Sequence, residues 1–401
     1  MTTLPTPHPL PGFQPASRRD RLAARMDAWM TSPALYTWAL ANPITRWFLK
    51  RRSEQLFELM AGFVHSQVLL ACVRLRLLET VRAAPRTLEE LAALTQLPAD
   101  GLQRLLDSAV SMRLMALRSG GRYGLGGLGA PVTAHTGIRD MVEHNATLYD
   151  DLRDPLALLR APDQAGMHAY WPYTDKPTDT PRPAAPAEQY ARYSSLMATS
   201  QRFVIDELLA AYPFADHRCV LDVGGGMGGW VAALAKAQPH LRLQLFDLPP
   251  VAALAHQKLQ DLGLGPRITT FGGSFTQDPL PTGADLVTLV RVAHDHDDAT
   301  VLTVLRAIHA ALPLGGSLLL AEPMARSDGQ PSSTDPYFHF YLMAMGSGRL
   351  RTPQALGALM AQAGFTHIEP VPNPMPLHAQ LLVGRKSQCL PLLTPECVNT
   401  N

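Results

Sequence analysis

The feature that most constrains the fold is a glycine-rich turn between a buried strand and an apolar helix, at residues 219–235 (CVLDVGGGMGGWVAALA). Gly224, Gly226 and Gly229 satisfy the GxGxxG pattern of dinucleotide-binding folds, and Gly228 adds a further alternating glycine. Glycines permit positive φ and let a ligand approach the backbone, while the N-terminus of the next helix offers free N–H groups. A strand, turn and helix of this kind predict one unit of a doubly wound sheet.

The remainder of the C-terminal half supports that fold class. From residue 190 to 386, short apolar runs such as LRLQLFDL, ADLVTLV and GSLLLAE alternate with helical patterns. Such alternation predicts an α/β, Rossmann-like domain with a doubly wound, mostly parallel sheet. The last two apolar runs, HIEPVPN and AQLLVGRK, predict an antiparallel edge pair.

Residues 53–189 predict a mainly helical domain that ends in a Pro-rich linker. Apolar residues recur at helical spacing, and Thr87 followed by Glu90 is a capping-box signature for a shorter helix. Two short strands around a Gly-Gly turn follow, so the order of helices and hairpin is winged-helix-like. Residues 1–52 form an N-terminal arm and residues 387–401 a tail.

A winged-helix order raises the hypothesis of DNA binding, which the charges argue against. The candidate recognition helix offers Gln103, Arg104 and Arg113 but also Asp100 and Asp107. The whole chain carries a net charge of only +1, which gives no general attraction to phosphate. We therefore interpret this domain as a packing or dimerisation module.

Composition limits the class of protein further. The four cysteines have no CxxC spacing, so neither a disulfide framework nor a structural zinc site is expected. The Pro-rich N-terminus lacks the apolar core of a signal peptide, and the apolar stretch 56–78 carries enough polar residues that we expect it not to span a membrane. These features predict a cytoplasmic protein.

The acidic residues around the glycine turn indicate the ligand. Asp247 ends the next strand, 23 residues after Gly224, where it can accept hydrogen bonds from ribose hydroxyls. Asp222 precedes the glycines and is poorly suited to pyrophosphate but well suited to a cationic amino-acid group. This favours S-adenosylmethionine (SAM) over NAD, with NAD and a merely structural turn as the alternatives.

A cluster of histidines and acids, HDHDD, follows the strand LVTLV. His294, His296 and Asp298 match the start of a metallo-hydrolase signature, but the chain lacks its next histidine and we predict no metal. Asp297 or Asp298 is expected to cap the following helix.

The third interpretation makes His294 a general base. A neutral imidazole can accept a hydroxyl proton if its other ring nitrogen is held by an acceptor. Glu322 ends the next strand, and the carboxyl ends of adjacent parallel strands open into one crevice. We therefore expect Glu322 to lie beside His294 and to orient its ring.

Four motifs together give a family resemblance over residues 53–386: VLDVGGGMGGW, FDLP, RVAHDHDD and LPLGGSLLLAE. The chain resembles the SAM-dependent O-methyltransferases that join a winged-helix-like dimerisation domain to a Rossmann-like catalytic domain. The resemblance implies a homodimer, SAM as cofactor, His294 as base and Glu322 as its orienting partner.

Within that family the chain looks most like the bacterial carotenoid enzymes of the hydroxyneurosporene or demethylspheroidene O-methyltransferase type. Those enzymes methylate the C1 tertiary hydroxyl of an acyclic carotenoid. A phenolic or polyketide-type substrate stays open because the chemistry is shared. A SAM-binding regulator without turnover is the alternative of another class.

The chain departs from the family pattern around the site. His296 stands where relatives carry Trp, and Leu350 stands where a second orienting Glu is common. Ser274 replaces an Asp that precedes the adenine-contacting residue, here Phe275. Arg291 is expected either to border the cofactor or to pair with an acid at the strand end.

An acyclic carotenoid needs a long apolar channel, and two stripes of aromatic and methionine residues could line one. From these stripes we predict Tyr193, Met197, Phe340 and Met343 as substrate contacts. The arm mixes tryptophans with arginines and lysines, which suits peripheral contact with the inner or photosynthetic membrane and equally a swapped dimer contact.

Overall fold

The computed structural model describes residues 17–170, 204–328, 330, 332, 334–373 and 379–387. The predicted substrate residues Tyr193 and Met197 and most of the predicted tail lie outside these ranges. The chain forms two compact units, residues 1–71 and 72–401. The sequence-based boundaries at residues 52, 189 and 386 stay predictions.

The described part of the first unit, residues 17–71, is helical. It contains α1 (Arg18–Met30), α2 (Pro33–Ala41) and the beginning of α3 (Pro43–Arg74). Ser17 and Asp20 form a capping box at the start of α1, and the Ser32 side chain caps α2. The expected boundary between arm and helical domain therefore falls inside one continuous helix, because no proline or glycine interrupts α3 near residue 53.

The length and composition of α3 would allow it to cross a membrane, and 17% of its most apolar window is buried within the protein. This revises the expectation that the stretch is too polar to span a bilayer.

The second unit begins with a helical region and a small hairpin. The capping box predicted at Thr87 and Glu90 is present at the start of α5. The hairpin strands pair antiparallel, with Met115 opposite Leu125. The elements are α4 (Leu77–Ala83), α5 (Leu88–Thr95), α6 (Ala99–Ser111), β1 (Met115–Arg118), β2 (Arg122–Leu125), α7 (Gly129–Ala134), α8 (Thr136–Asp151), α9 (Pro155–Arg160) and α10 (Gly166–Tyr170).

The rest of the unit is a seven-stranded mixed sheet in the order β5-β4-β3-β6-β7-β9-β8. Strands β3 to β7 are parallel, and β9 and β8 form the antiparallel edge, which confirms the predicted fold class. The elements are α11 (described over residues 204–211), β3 (Cys219–Val223), α12 (Gly229–Ala237), β4 (Arg242–Asp247), α13 (Pro249–Asp261), β5 (Ile268–Gly272), β6 (Leu286–Val290), α14 (Asp298–Ala311), β7 (Ser317–Glu322), α15 (Thr334–Met345), α16 (Pro353–Gln362), β8 (Thr366–Val371) and β9 (Gln380–Arg385).

Helices cover both faces of this sheet. Every residue of β3, β6 and β7 is buried, as expected for strands with apolar packing on two sides. Residues of α12 and α13 pack on one face, and residues of α14 and α16 pack on the other. The strand order reverses at β3, so the carboxyl ends of β3, β4, β6 and β7 surround the crevice where such folds bind ligands.

Candidate active site

The glycine turn leaves β3 in left-handed backbone conformations. Gly224, Gly226 and Gly228 have φ of 70°, 55° and 72°. A Cβ added to Gly224 would lie 2.7 Å from Val292 Cγ2, so this glycine is required by packing against the chain itself. A Cβ added to Gly226 would meet nothing within 4 Å. Gly226 is therefore the position where an open space faces the backbone.

Asp222 is buried at the end of β3 and belongs to a short hydrogen-bond chain. Its Oδ1 accepts a hydrogen bond from Thr288 Oγ1 at 2.8 Å, and Thr288 Oγ1 in turn accepts from Trp230 Nε1 at 3.2 Å. Burial raises the pKa of Asp222 to about 8, against the opposing effect of the Thr288 hydrogen bond. A buried carboxyl of this kind gains most from a cationic partner, because a positive charge offsets the cost of burying the anion.

Asp247 fastens the glycine turn to the end of β4. Its Oδ2 accepts from the backbone N–H of Gly226 at 2.7 Å, and its Oδ1 accepts from that of Leu248 at 2.7 Å. Burial raises its pKa to about 6, while these two hydrogen bonds oppose the shift. The sequence suggested only a ribose contact here. The structure shows that the same carboxylate also sets the shape of the turn, and each oxygen keeps a lone pair for a ligand hydroxyl.

The histidine cluster begins at a tight turn after β6. Arg291 adopts φ 56°, and its N–H donates to Ala321 O at 2.8 Å. The next residues form a short 3₁₀ turn, Ala293–Asp295, which is entirely buried. As predicted, an aspartate then caps α14: the Asp297 side chain accepts from Thr300 N.

Glu322 lies beside His294 and holds its ring. Glu322 Oε2 is 2.6 Å from His294 Nδ1, and Oε1 accepts from the backbone N–H groups of Val292 and Ala293 at 2.8 and 2.7 Å. Because the carboxylate is surrounded by N–H donors, Nδ1 must carry the proton of this hydrogen bond. The lone pair of His294 is therefore at Nε2. Glu322 has no exposed surface and His294 is 5% exposed.

Asp295 is the residue of the cluster for which the sequence suggested no role. Its Oδ1 lies 3.2 Å from His294 Nε2, and the side chain is buried. Burial raises the pKa of Asp295 to about 6, opposed by the charges of His294 and Arg291. A lone pair on Nε2 and an ionised Oδ1 would repel each other at this distance. The two atoms are therefore placed to accept one proton between them.

His296 packs as an aromatic ring. It meets Phe275 edge-on, with ring centroids 5.4 Å apart and an interplanar angle of 86°. Burial lowers its pKa to about 4, with a further contribution from His294, so the ring is neutral at physiological pH. The family resemblance led us to expect tryptophan at this position, and the chain has a smaller aromatic ring there.

A buried arginine fixes the shape of this loop. Arg351 donates through Nη1 to Ala293 O at 2.9 Å and through Nη2 to His296 O at 2.7 Å. Its Nε donates to Asp298 Oδ1 at 2.7 Å. Sequence reasoning did not find this role, because Arg351 lies more than fifty residues beyond the loop and no local motif connects them.

The other predicted residues lie near the cluster with less defined contacts. Ser274 is half-buried, and its hydroxyl contacts Thr276 Oγ1 at 2.9 Å. Phe340 and Met343 are half-buried on α15, which contacts the 3₁₀ turn that carries His294. Leu350, in place of the family's second Glu, is buried in the apolar cluster beneath α15.

Two further points concern histidines and metal ligands. His339 on α15 is exposed. Among the described residues, no group of three or more His, Cys, Asp or Glu side chains has the arrangement needed to hold a metal ion.

Comparison with known proteins identifies the family. Residues 182–366 match an O-methyltransferase domain and residues 57–130 an O-methyltransferase dimerisation domain. The chain is 40% identical to a demethylspheroidene O-methyltransferase of Cereibacter sphaeroides, over 85% of this chain and 89% of that protein. It is 41% identical to the Rhodobacter capsulatus protein of the same name, over 82% and 80%.

A solved structure of the same fold supports this family. An O-methyltransferase from neocarzinostatin biosynthesis, in complex with SAM and a naphthoic acid, superimposes with a TM-score of 0.57 at 26% identity, covering 80% of this chain and 95% of that one. Fold and site thus define a nucleoside-cofactor transferase of the doubly wound α/β class. The chain belongs to the O-methyltransferase family and is a SAM-dependent O-methyltransferase whose dimerisation domain supports a homodimer.

The hydrogen-bond chain behind the glycine turn can be tested by removing its central hydroxyl. Thr288→Val leaves both Trp230 Nε1 and Asp222 Oδ1 without their buried partner. We expect the free energy of unfolding in urea to fall by about 1–3 kcal/mol. Thr303→Val, which removes an exposed hydroxyl from α14, is the matched control and should change it by less than about 0.5 kcal/mol. Equal stability of Thr288→Val and the wild type would contradict the network.

Proposed function

We propose that the protein transfers the methyl group of SAM to the C1 tertiary hydroxyl of an acyclic carotenoid, with His294 as the general base. The contact that carries this proposal is His294 Nε2 at 3.2 Å from Asp295 Oδ1, on a ring held from behind by Glu322. Two relatives of 40% and 41% identity are named demethylspheroidene O-methyltransferases, which favours the substrate class.

The residues around the glycine turn are proposed to hold the cofactor, which supplies an electrophilic methyl group when bound. Asp222 would face its cationic amino-acid end and Asp247 its ribose hydroxyls. Gly226 would let it approach the backbone, and Gly224 and Gly228 keep the turn in shape. Phe275 would pack near the adenine, and Ser274 would add a neutral hydrogen bond. The open space at Gly226 and the buried carboxyl of Asp222 support this assignment.

The geometry at His294 indicates which atoms receive the proton of the substrate hydroxyl. Bound SAM would supply the methyl group, its S–CH3 bond breaking to leave a neutral thioether as the O–CH3 bond forms. The hydroxyl proton of the substrate would then pass to the acceptor pair of His294 Nε2 and Asp295 Oδ1. Glu322 stabilises the positive charge that the ring gains, since its Oε2 is 2.6 Å from Nδ1. The positive charge of Arg291 acts on the Asp295 carboxyl and lowers its pKa against the effect of burial. We therefore propose that the Arg291 side chain lies beside Asp295 at the border of the site.

A tertiary alcohol is a demanding substrate because it is far less acidic than a phenol. A base formed by two acceptor atoms suits it, since the substrate proton is received by the pair and not by imidazole alone. Alignment of the reacting groups can lower the barrier by roughly a further 7–11 kcal/mol.

Phe340 and Met343 on α15 are the proposed apolar contacts for the substrate among the described residues, and Tyr193 and Met197 are proposed from sequence alone.

The setting of the reaction is part of the proposal. We infer a homodimeric enzyme in the cytoplasm that works peripherally at the inner or photosynthetic membrane, where an apolar carotenoid dissolves. The exposed tryptophans and cationic residues of the first unit support this location.

Replacing the base tests its role. His294→Gln removes the Nε2 lone pair, and we expect kcat to fall by about 10²–10⁴-fold while binding of SAM stays close to wild type. Some activity should remain because alignment is retained. His296→Phe removes the neighbouring imidazole but keeps an aromatic edge against Phe275, so its kcat should stay within a few-fold of wild type. Near-wild-type turnover of His294→Gln would rule out the base assignment.

Product analysis tests the substrate. The purified enzyme is incubated with SAM and either an acyclic carotenoid bearing a tertiary hydroxyl or a simple phenol. The masses of the products are measured by mass spectrometry. We expect the carotenoid alone to gain the mass of one methylene group. Methylation of the phenol alone would favour the phenolic alternative. Absence of turnover with either compound, with SAM still bound, would favour a SAM-binding regulator.

A further inference from the structure

We propose that residues 18–56 form an interfacial segment that adsorbs to an anionic lipid surface. This inference deepens the peripheral location suggested above but does not rest on the carotenoid reaction. It rests on the side chains that α1, α2 and the first turns of α3 expose.

The apolar side chains of this segment are unusually uncovered. No residue of α1 or α2 is buried, and α2 contains no charged residue at all. Three of the chain's five tryptophans, Trp29, Trp38 and Trp47, are 61%, 56% and 56% exposed. Ile44 and Phe48 are similarly exposed, at 73% and 58%. A helix that is apolar all round needs an apolar environment, so something must cover this surface.

The charges of residues 18–56 indicate that an anionic lipid surface covers these apolar side chains. Residues 18–56 contain eight arginines and lysines but only three acidic residues, a net charge of +5 in a chain whose total is +1. Cationic side chains stand next to the tryptophans: the Arg51 guanidinium lies 5.7 Å from the centre of the Trp47 ring. Tryptophan with arginine and lysine is the composition of the water–lipid boundary, where rings sit among headgroups and cations meet anionic lipid.

A second copy of the chain is a poorer occupant. A symmetric contact through this segment would bring two regions of net charge +5 together, which is unfavourable. The matched dimerisation domain also begins only at residue 57, after this segment. The apolar residues of α3 beyond that point, such as Phe57, Leu59 and Phe63, therefore belong to the dimerisation domain and not to the interfacial segment.

The segment suits adsorption rather than insertion across a bilayer. The nine residues of α2 span about 13 Å, less than half of a hydrocarbon core of about 30 Å. The first turns of α3 carry Arg46, Lys50, Arg51 and Arg52, which would be costly at the bilayer centre. Binding should therefore be reversible and should weaken with salt.

The test is flotation of the full-length protein with vesicles of phosphatidylcholine alone or with about 30% phosphatidylglycerol, at low and high salt. We expect binding to the anionic vesicles at low salt, release at high salt, and at least tenfold weaker binding to the neutral ones. The triple variant Lys50→Gln, Arg51→Gln, Arg52→Gln should bind anionic vesicles at least about tenfold more weakly. Trp38→Ser should weaken binding at unchanged charge.

The matched control is Arg153→Gln, Arg160→Gln, Arg306→Gln, which removes the same charge from exposed positions outside the segment. It should bind vesicles like wild type. Circular dichroism checks that all variants are folded, and the oligomeric mass in solution is measured for each. Loss of oligomeric mass in the segment variants, with vesicle binding intact, would overturn the proposal in favour of a partner copy. Equal binding to both vesicle types, resistance to high salt, or no binding would also overturn it.

Discussion

The site depends on one buried carboxylate. Glu322 has no exposed surface, and an anion in such a place is stable only if donors surround it. It receives the backbone N–H groups of Val292 and Ala293 and the ring N–H of His294. The same charge therefore shapes the turn after β6 and determines which nitrogen of His294 is free. The position of Glu322 beside the turn follows from the fold, because the register of β6 beside β7 brings the two strand ends together.

Hydrogen bonds to the loop that follows β6 offset the backbone strain at its first residue, Arg291. Arg291 is a non-glycine residue in the left-handed region, which costs of the order of 1–3 kcal/mol. The hydrogen bonds to Glu322 and the donors of Arg351 to Ala293 O and His296 O offset that cost. Ser347 Oγ donates to Asp295 O at 2.7 Å, so the loop is fixed from a second side. These hydrogen bonds matter because the loop that they hold carries the His294–Asp295 contact.

Much of this arrangement follows from local sequence rules, and the rest does not. The strand, glycine turn and helix at residues 219–235, the capping box at Thr87 and the cap of α14 depend on neighbours along the chain and were predictable. So was the approach of Glu322 to His294, since parallel strands end at one edge. The proximity of Asp295 to Nε2 was not, because it depends on a 3₁₀ turn that the sequence does not signal. The role of Arg351 was not predictable either, because its partners are far away in sequence and contact it only through the packing of the segment after α15.

The central claim is that Glu322 holds the proton of His294 on Nδ1, so that the lone pair on Nε2 lies beside Asp295 Oδ1. It is tested most directly by NMR of the protein labelled with ¹⁵N-histidine, with His294→Gln used to assign the signals. At pH 8 we expect the signals of the ring tautomer that is protonated at Nδ1 and unprotonated at Nε2, because Glu322 Oε2 accepts the Nδ1 hydrogen bond. A neutral ring protonated at Nε2 at pH 8 would contradict the account.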